Sequence, residues 1–181
     1  MTPEIRLRPI VCLTGFMGTG KSTVARLLAR QVGWTHVDLD KRITEVTGLT
    51  IPEIFARSGE HEFRRIEQVQ LGRVIGESIA QQKPRIVSLG GGTTVQPQNV
   101  ALLREKGAVV IWLRCPVEEL LQRCAHITNR PLFRDEASFR KLYEERLPFY
   151  ALADYSVDSN IEPLRVVESI LALGIFPKVT A

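Results

Sequence analysis

No apolar run in the 181 residues approaches the ~20 that a helix needs to cross a bilayer, which argues against a membrane partner. The first residues, Met1 to Pro9, lack the apolar centre of a secretory signal and carry Glu4 beside two arginines, so neither a signal nor a transit peptide is expected. Cysteine is scarce. Cys12, Cys115 and Cys124 are odd in number and show no CxxC spacing, which speaks against a disulfide framework or a zinc site and for reduced thiols in the cytoplasm. No internal repeat, low-complexity segment or Gly/Ser linker divides the chain, so residues 1–181 are expected to form one domain. Charge of one sign is not gathered either. The 24 basic and 20 acidic residues are interspersed, and a net charge of +4 without a basic stripe favours small anions over a nucleic-acid groove. What remains, 44% hydrophobic and 24% charged, is the composition of a water-soluble globular chain.

Five short apolar runs read as strands: Ile10 to Thr14, His36 to Leu39, Ile86 to Leu89, Val109 to Leu113 and, more weakly, Tyr155 to Val157. Near-continuous hydrophobicity suits strands buried on both faces of a parallel sheet. Between them lie helical patterns. Val24, Leu27, Leu28 and Val32 recur at helical spacing up to Gly33. Thr50 to Glu53 forms a capping box with Pro52, and a long helix is expected from about Gly59 to Gln82 with Phe63, Ile66, Leu71, Val74, Ile75 and Ile79 inward. Pro116 opens a helix to Cys124, Ser138 caps one through Phe139 to Arg146, and a last one runs from Pro163 towards Gly174. Strand and helix in alternation predict an α/β fold. Two stretches break the rhythm, Asp40 to Glu60 and Ala125 to Ala137. They are read as a substrate-binding insertion, about 40–70 in all, and a lid at about 125–137.

Gly15 to Ser22, GFMGTGKS, matches G-x-x-x-x-G-K-[ST] between a strand and a helix. In such a loop Gly15, Gly18 and Gly20 let backbone N–H groups wrap a phosphate, and the helix N-terminus adds its positive dipole end. Lys21 is then the candidate for the β- and γ-phosphates, with Thr19 and Thr23 beside them and Ser22 as a Mg²⁺ ligand. The plainer reading, a strand-to-helix turn with a solvated lysine, leaves the joint occurrence of four fixed positions to chance.

His36-Val37-Asp38-Leu39-Asp40 leaves the second strand with two acids one residue apart, which in extended chain point to the same side. Ligands of open α/β sheets gather at the carboxyl ends of strands. One acid is suited to a metal and the other to orienting an attacking hydroxyl; alternatively either simply caps the next helix. Where many glycine-loop NTPases end the third strand in aspartate, this chain has Ser88, so Asp38 carries more of the metal electrostatics.

Arg64 and Glu67 stand three apart on the long helix. A guanidinium can grip a substrate carboxylate bidentately with Glu67 fixing its rotamer, although an exposed ion pair contributing about 0.2–0.5 kcal/mol has the same spacing. Gly90-Gly91-Gly92 follows the third strand and permits close approach of backbone to a ligand, as a plain loop would. Arg130, in Asn129-Arg130-Pro131, is a candidate to neutralise transition-state charge from the lid.

Together, GFMGTGKST, the DLD at Asp38 to Asp40, FRRIE at Phe63 to Glu67, SLGGG at Ser88 to Gly92, NRP at Asn129 to Pro131 and Glu145-Arg146 before Pro148 resemble the shikimate kinases over about Ile10 to Gly174. The resemblance implies a three-layer α/β/α fold with a five-stranded parallel sheet in the order 2-3-1-4-5. It implies phosphorylation of the 3-hydroxyl of shikimate with ATP and Mg²⁺; a cytoplasmic monomer without nucleic-acid or membrane partners is expected. Lys21, Asp40 and Arg130 become the expected catalytic groups, Asp40 as candidate base. Ser22 and Asp38 become the metal side, and Arg64, Glu67, Gly90, Gly91, Gly92 and Arg146 the acceptor side. Arg123 and Pro163 would flank adenine. Thr93-Thr94 departs from the small apolar residues expected after the glycines. The competing expectations are gluconokinase or another small-metabolite kinase on this architecture, and a nucleotide-binding regulator without turnover.

Overall fold

A computed structural model describes residues 10–125 and 135–177. Five parallel strands form one sheet: β1 (Ile10–Thr14), β2 (Thr35–Asp38), β3 (Arg85–Ser88), β4 (Val109–Arg114) and β5 (Tyr155–Asp158), in the order β2-β3-β1-β4-β5. Every residue of β1 and β3 is buried, the polar Arg85 and Ser88 included, whereas the edge strands β2 and β5 are only partly covered, so the expected burial on both faces does not extend to them. Strand order reverses beside β1, where β3 pairs on one side and β4 on the other. A crevice for ligand opens at the carboxyl ends of strands at such a reversal, and the glycine loop leaves β1 at that point.

Helices cover both faces. On one, α1 (Lys21–Val32) and α7 (Pro163–Leu171) lay Leu28, Val166, Val167 and Ile170 on the sheet. On the other, α2 (Leu39–Thr47), α3 (Ile51–Gln81) and α4 (Pro97–Glu105) contribute Leu39, Ile43, Ile54, Leu71, Val74, Ile75 and Leu103. Burying each such side chain is worth about 1.5–3 kcal/mol. A third, smaller cluster joins Phe16 and Met17 of the glycine loop to Leu120 of α5 (Val117–Cys124) and to Phe139 and Tyr150 of α6 (Glu136–Tyr150).

Several expectations are corrected. Asp40 to Glu60 is not irregular: it holds α2, a turn at Gly48, and the first part of α3, whose capping box at Thr50 and Glu53 forms as expected. Gly59, at φ 77° and ψ 176°, is non-helical and divides α3 into two helical segments, so the long helix expected from about Gly59 to Gln82 forms there, preceded by a first segment that starts at Ile51. Ile79 is 44% exposed rather than inward, because it falls near the end of α3, beyond the turns that lie on the sheet. The N-cap of α6 is Asp135, whose carboxylate accepts from Ser138 N–H. That helix continues through Pro148 to Tyr150. The last helix ends at Leu171, three residues before Gly174. Helix α4 and the 3-10 turn at Thr93–Val95 were not anticipated. All three cysteines are free and buried, and burial pushes the Cys12 thiol up to about 12. No helix among the described residues is long and apolar enough to cross a membrane.

Candidate active site

The glycine loop is shaped by steric exclusion. A Cβ on Gly15 would meet Leu113 O at 2.7 Å, and one on Gly18, at φ +83°, would meet Cys124 Sγ at 2.8 Å. The loop is thereby wedged between the end of β4 and α5. Lys21, the first residue of α1, donates to Gly15 O at 2.8 Å and Phe16 O at 2.9 Å, which lays its ammonium along the loop. Thr19 Oγ donates to Phe16 O at 2.9 Å.

The carboxylates of the DLD stretch sit on different elements. Asp38 ends β2 and caps α2, accepting from Lys41 N–H at 3.1 Å, while Asp40 lies in the first turn of α2. The two do not project from one strand, yet both line the cleft that holds Lys21 and Ser22. Asp38 is thus a helix cap and a site residue at once. Its Oδ2 accepts from Ser22 Oγ at 2.5 Å and from Ser88 Oγ at 3.0 Å. Burial pulls this carboxyl upward, but the hydrogen bonds from Ser22, Lys41 N–H and Ser88 outweigh it and hold the group below its ordinary range.

The arginine and glycines also meet. Arg64 donates to Glu67 Oε2 at 2.8 Å and to Glu60 Oε1 at 3.1 Å. The spacing suited an exposed ion pair, but the Glu67 side chain is 0% exposed and that of Arg64 only 12%. The cover comes from the glycines. A Cβ on Gly92 would lie 2.8 Å from Arg64 Cζ, and one on Gly90 would lie 2.9 Å from Glu67 Oε1 and 3.0 Å from Asp40 Oδ1. Arg146, buried on α6 over the Phe16 ring, faces the same cleft. Burial raises the Glu67 carboxyl, opposed by Arg64 and Thr93 and assisted by Asp40.

Two clefts result. One, of about 820 Å³, is lined by loop residues, Ser22, Thr23, Asp38 and Arg123. The other, of about 510 Å³, is lined by Arg64, Glu67, Gly90, Gly92, Arg146 and the apolar walls Ile51, Phe55 and Phe63. Met17, Asp40 and Gly91 belong to both.

A family model described as shikimate kinase matches residues 17–173. The chain belongs to the shikimate kinase family. A shikimate kinase from Geobacter metallireducens is 43% identical over 153 residues, covering 83% of this chain and 82% of that one. One from Synechococcus elongatus is 40% identical over 164 residues, covering 88% and 83%. The solved structure of the shikimate kinase from Acinetobacter baumannii in complex with shikimate superposes with a TM-score of 0.84 at 35% identity, covering 95% of this chain and 96% of that one.

Within this shikimate kinase fold, Arg123 donates to Gly18 O at 3.3 Å and to Asn160 Oδ1 at 3.0 Å, linking the loop to the segment before α7. Pro163 is the first residue of α7, and it is Arg123 that lines the larger cleft. Arg130 and most of the expected lid lie outside the described residues. Sequence reasoning missed three supports of the site. Thr93 Oγ donates to Glu67 Oε1 at 2.6 Å, Tyr150 OH donates to Gly91 O at 2.5 Å, and His36 Nε2 lies 3.1 Å from Ser88 Oγ. The polarity of Thr93 was the one signal that pointed to any of them.

Proposed function

We propose that this chain transfers the γ-phosphoryl group of ATP to the 3-hydroxyl of shikimate, giving shikimate 3-phosphate and ADP on the route to chorismate and the aromatic amino acids. The observation that carries this reading is the wall shared by the two clefts. Asp40 and Gly91 border both the cleft holding Lys21 and the cleft holding Arg64 and Arg146. A donor phosphoryl group and an acceptor hydroxyl brought to that wall would face each other across Asp40.

Phosphoryl transfer needs positioning and charge neutralisation more than a strong base. Gly15, Gly18, Thr19, Gly20, Lys21, Ser22 and Thr23 hold the triphosphate, and Lys21 neutralises charge on the transferred group. Arg64 and Arg146 hold the acceptor carboxylate, with Glu67 fixing the Arg64 rotamer and Gly90, Gly91 and Gly92 admitting the ring. Two arginines make sense for a carboxylated acceptor and little sense for a neutral sugar. Asp40 orients the attacking hydroxyl and takes its proton. Arg130 acts from the lid, and Arg123, with Pro163 at the start of α7, borders the base.

Ser22 Oγ and Asp38 are hard oxygen donors of the kind Mg²⁺ takes while leaving much of its shell to water and phosphate. These two residues would hold Mg²⁺, which would supply charge neutralisation for the nucleotide phosphates. The enzyme acts as a cytoplasmic monomer of one domain, with 40–70 as acceptor-binding insertion and 125–137 as lid.

The deciding experiment measures ADP release from Mg·ATP by the purified protein with shikimate, gluconate, quinate, a nucleoside monophosphate or no acceptor. Release with shikimate, and formation of shikimate 3-phosphate by mass, is the expected result. Release with gluconate in its place would contradict the proposal, as would nucleotide binding without turnover.

A further inference from the structure

His36 stands two residues before Asp38 on β2, half-buried, and its Nε2 lies 3.1 Å from Ser88 Oγ on the neighbouring strand. Ser88 Oγ in turn lies 3.0 Å from Asp38 Oδ2, the oxygen that also receives Ser22 Oγ. Counting hydrogens gives this chain a direction. A serine hydroxyl has one proton to give, and an ionised carboxylate has none. Asp38 therefore takes the Ser88 proton, the Ser88 oxygen is left as acceptor, and His36 must donate from Nε2.

A hydroxyl on β3 without a second partner can rotate about its C–O bond and leave Asp38. Held from His36, it has a single orientation. The register makes this possible, because His36 pairs with Ile86 and Asp38 with Ser88, placing imidazole and carboxylate on the same side of the sheet with the serine between them.

We propose that His36 is a positioning residue for the metal side of the site, holding Ser88 so that its hydroxyl fixes the Asp38 carboxylate against Ser22. The relay replaces, from the edge strand, part of the rigidity that an aspartate at the end of β3 would supply. It touches neither nucleotide nor acceptor, and it rests on the reading of Ser22 and Asp38 as the Mg²⁺ side.

The test is calorimetric binding of ADP, with and without Mg²⁺, to the native protein and to His36→Leu, His36→Gln, Ser88→Ala and the double variant His36→Leu/Ser88→Ala. His36→Leu is expected to weaken Mg·ADP about three- to tenfold, the scale of one neutral hydrogen bond, while metal-free ADP and shikimate bind as in the native protein. His36→Gln, which retains a side-chain N–H donor, recovers most of the loss. In the double variant the histidine change adds nothing to Ser88→Ala, because the link is already cut. Native Mg·ADP affinity in His36→Leu overturns the proposal, as does an equal loss with and without Mg²⁺, or additivity in the double variant. Should His36→Leu fail to fold, Ser88→Ala carries the same comparison, and an undiminished Mg²⁺ effect there is equally fatal. ADP affinity of the native protein that ignores Mg²⁺ removes the metal reading and the relay together; Mg²⁺ dependence that survives the loss of His36 removes the relay alone.

Discussion

Thr93 and Arg64 hold opposite oxygens of one buried carboxylate: Thr93 Oγ donates to Glu67 Oε1 at 2.6 Å and Arg64 to Glu67 Oε2 at 2.8 Å. Thr93 is itself fixed, since its carbonyl accepts from Asn99 Nδ2 of α4 at 3.0 Å. Thr93→Val keeps the shape and removes the donor. Leaving a buried acceptor short of its partner costs about 1–3 kcal/mol, so thermal stability falls. The acceptor KM rises several-fold as Arg64 loses its anchor, with kcat and the ATP KM little changed. Equal losses for ATP and shikimate would contradict this role.

Arg64→Ala weakens acceptor binding about 10- to 100-fold, the scale of a charge-assisted pair, with nucleotide affinity within about twofold. It also strands the Glu67 carboxylate, which at 0% exposure loses about 3–5 kcal/mol of stability when unpaired. Adding Glu67→Gln restores the melting temperature and leaves the acceptor KM high. A double variant that recovers acceptor binding would show that Arg64 acts only on the fold.

Gly92 adopts φ −112°, a value open to alanine, so Gly92→Ala carries no backbone strain. Its methyl group instead meets the guanidinium of Arg64, with Cζ 2.8 Å away. The arginine head shifts, and steady-state kinetics should show a raised acceptor KM with a melting temperature close to native. A variant that binds shikimate normally would place the carboxylate grip elsewhere.

Burial raises the Glu67 pKa above its ordinary value, so this group protonates at a higher pH than an exposed glutamate. On the acid side, the pairing with Arg64 weakens and the acceptor KM climbs before the ATP KM does. Stability runs the other way. A carboxyl with a raised folded pKa binds more protons folded than unfolded, so its contribution is complete below the unfolded pKa and is lost as pH rises through the folded one. Urea titrations from about pH 4 to 7 should show native stability falling with pH relative to Glu67→Gln. A flat or rising difference would mean that burial of Glu67 does not outweigh its bonds to Arg64 and Thr93.

The parts of the site that can be read from the chain are those whose cause is local. Gly15, Gly18 and Lys21 are demanded within eight residues by one loop, and β1 is buried on both faces, so strand, loop and helix are all legible. Arg64 and Glu67 are different. Their spacing fits a solvated pair equally well, and what buries them is Gly90 to Gly92, about 25 positions later, packed against the guanidinium. Asp40 to Glu60 hides its helices because Gly48 and Gly59 interrupt the period, and its apolar residues serve two ends: Ile43 and Ile54 are fully buried in the core, while Ile51 and Phe55 pack against that core and also line the cleft. Helix α4, nine residues opening on Pro97-Gln98-Asn99, is too short and too polar at its start for periodicity to announce it. Thr93 looked out of place because its partner is 26 residues away.

Phe16, between two glycines of the phosphate loop, meets Phe139 and Tyr143 of α6 edge-on at 5.0 and 5.4 Å, while Gly18 lies hard against Cys124 at the end of α5. Helices α5 and α6 therefore both pack directly on the glycine loop. They rest on the same few loop residues, Phe16, Met17 and Gly18, so a displacement of either helix reaches the loop backbone with no intervening layer to absorb it. A change of volume at Phe139, buried against Phe16, would alter the shape of the glycine loop through a single lever.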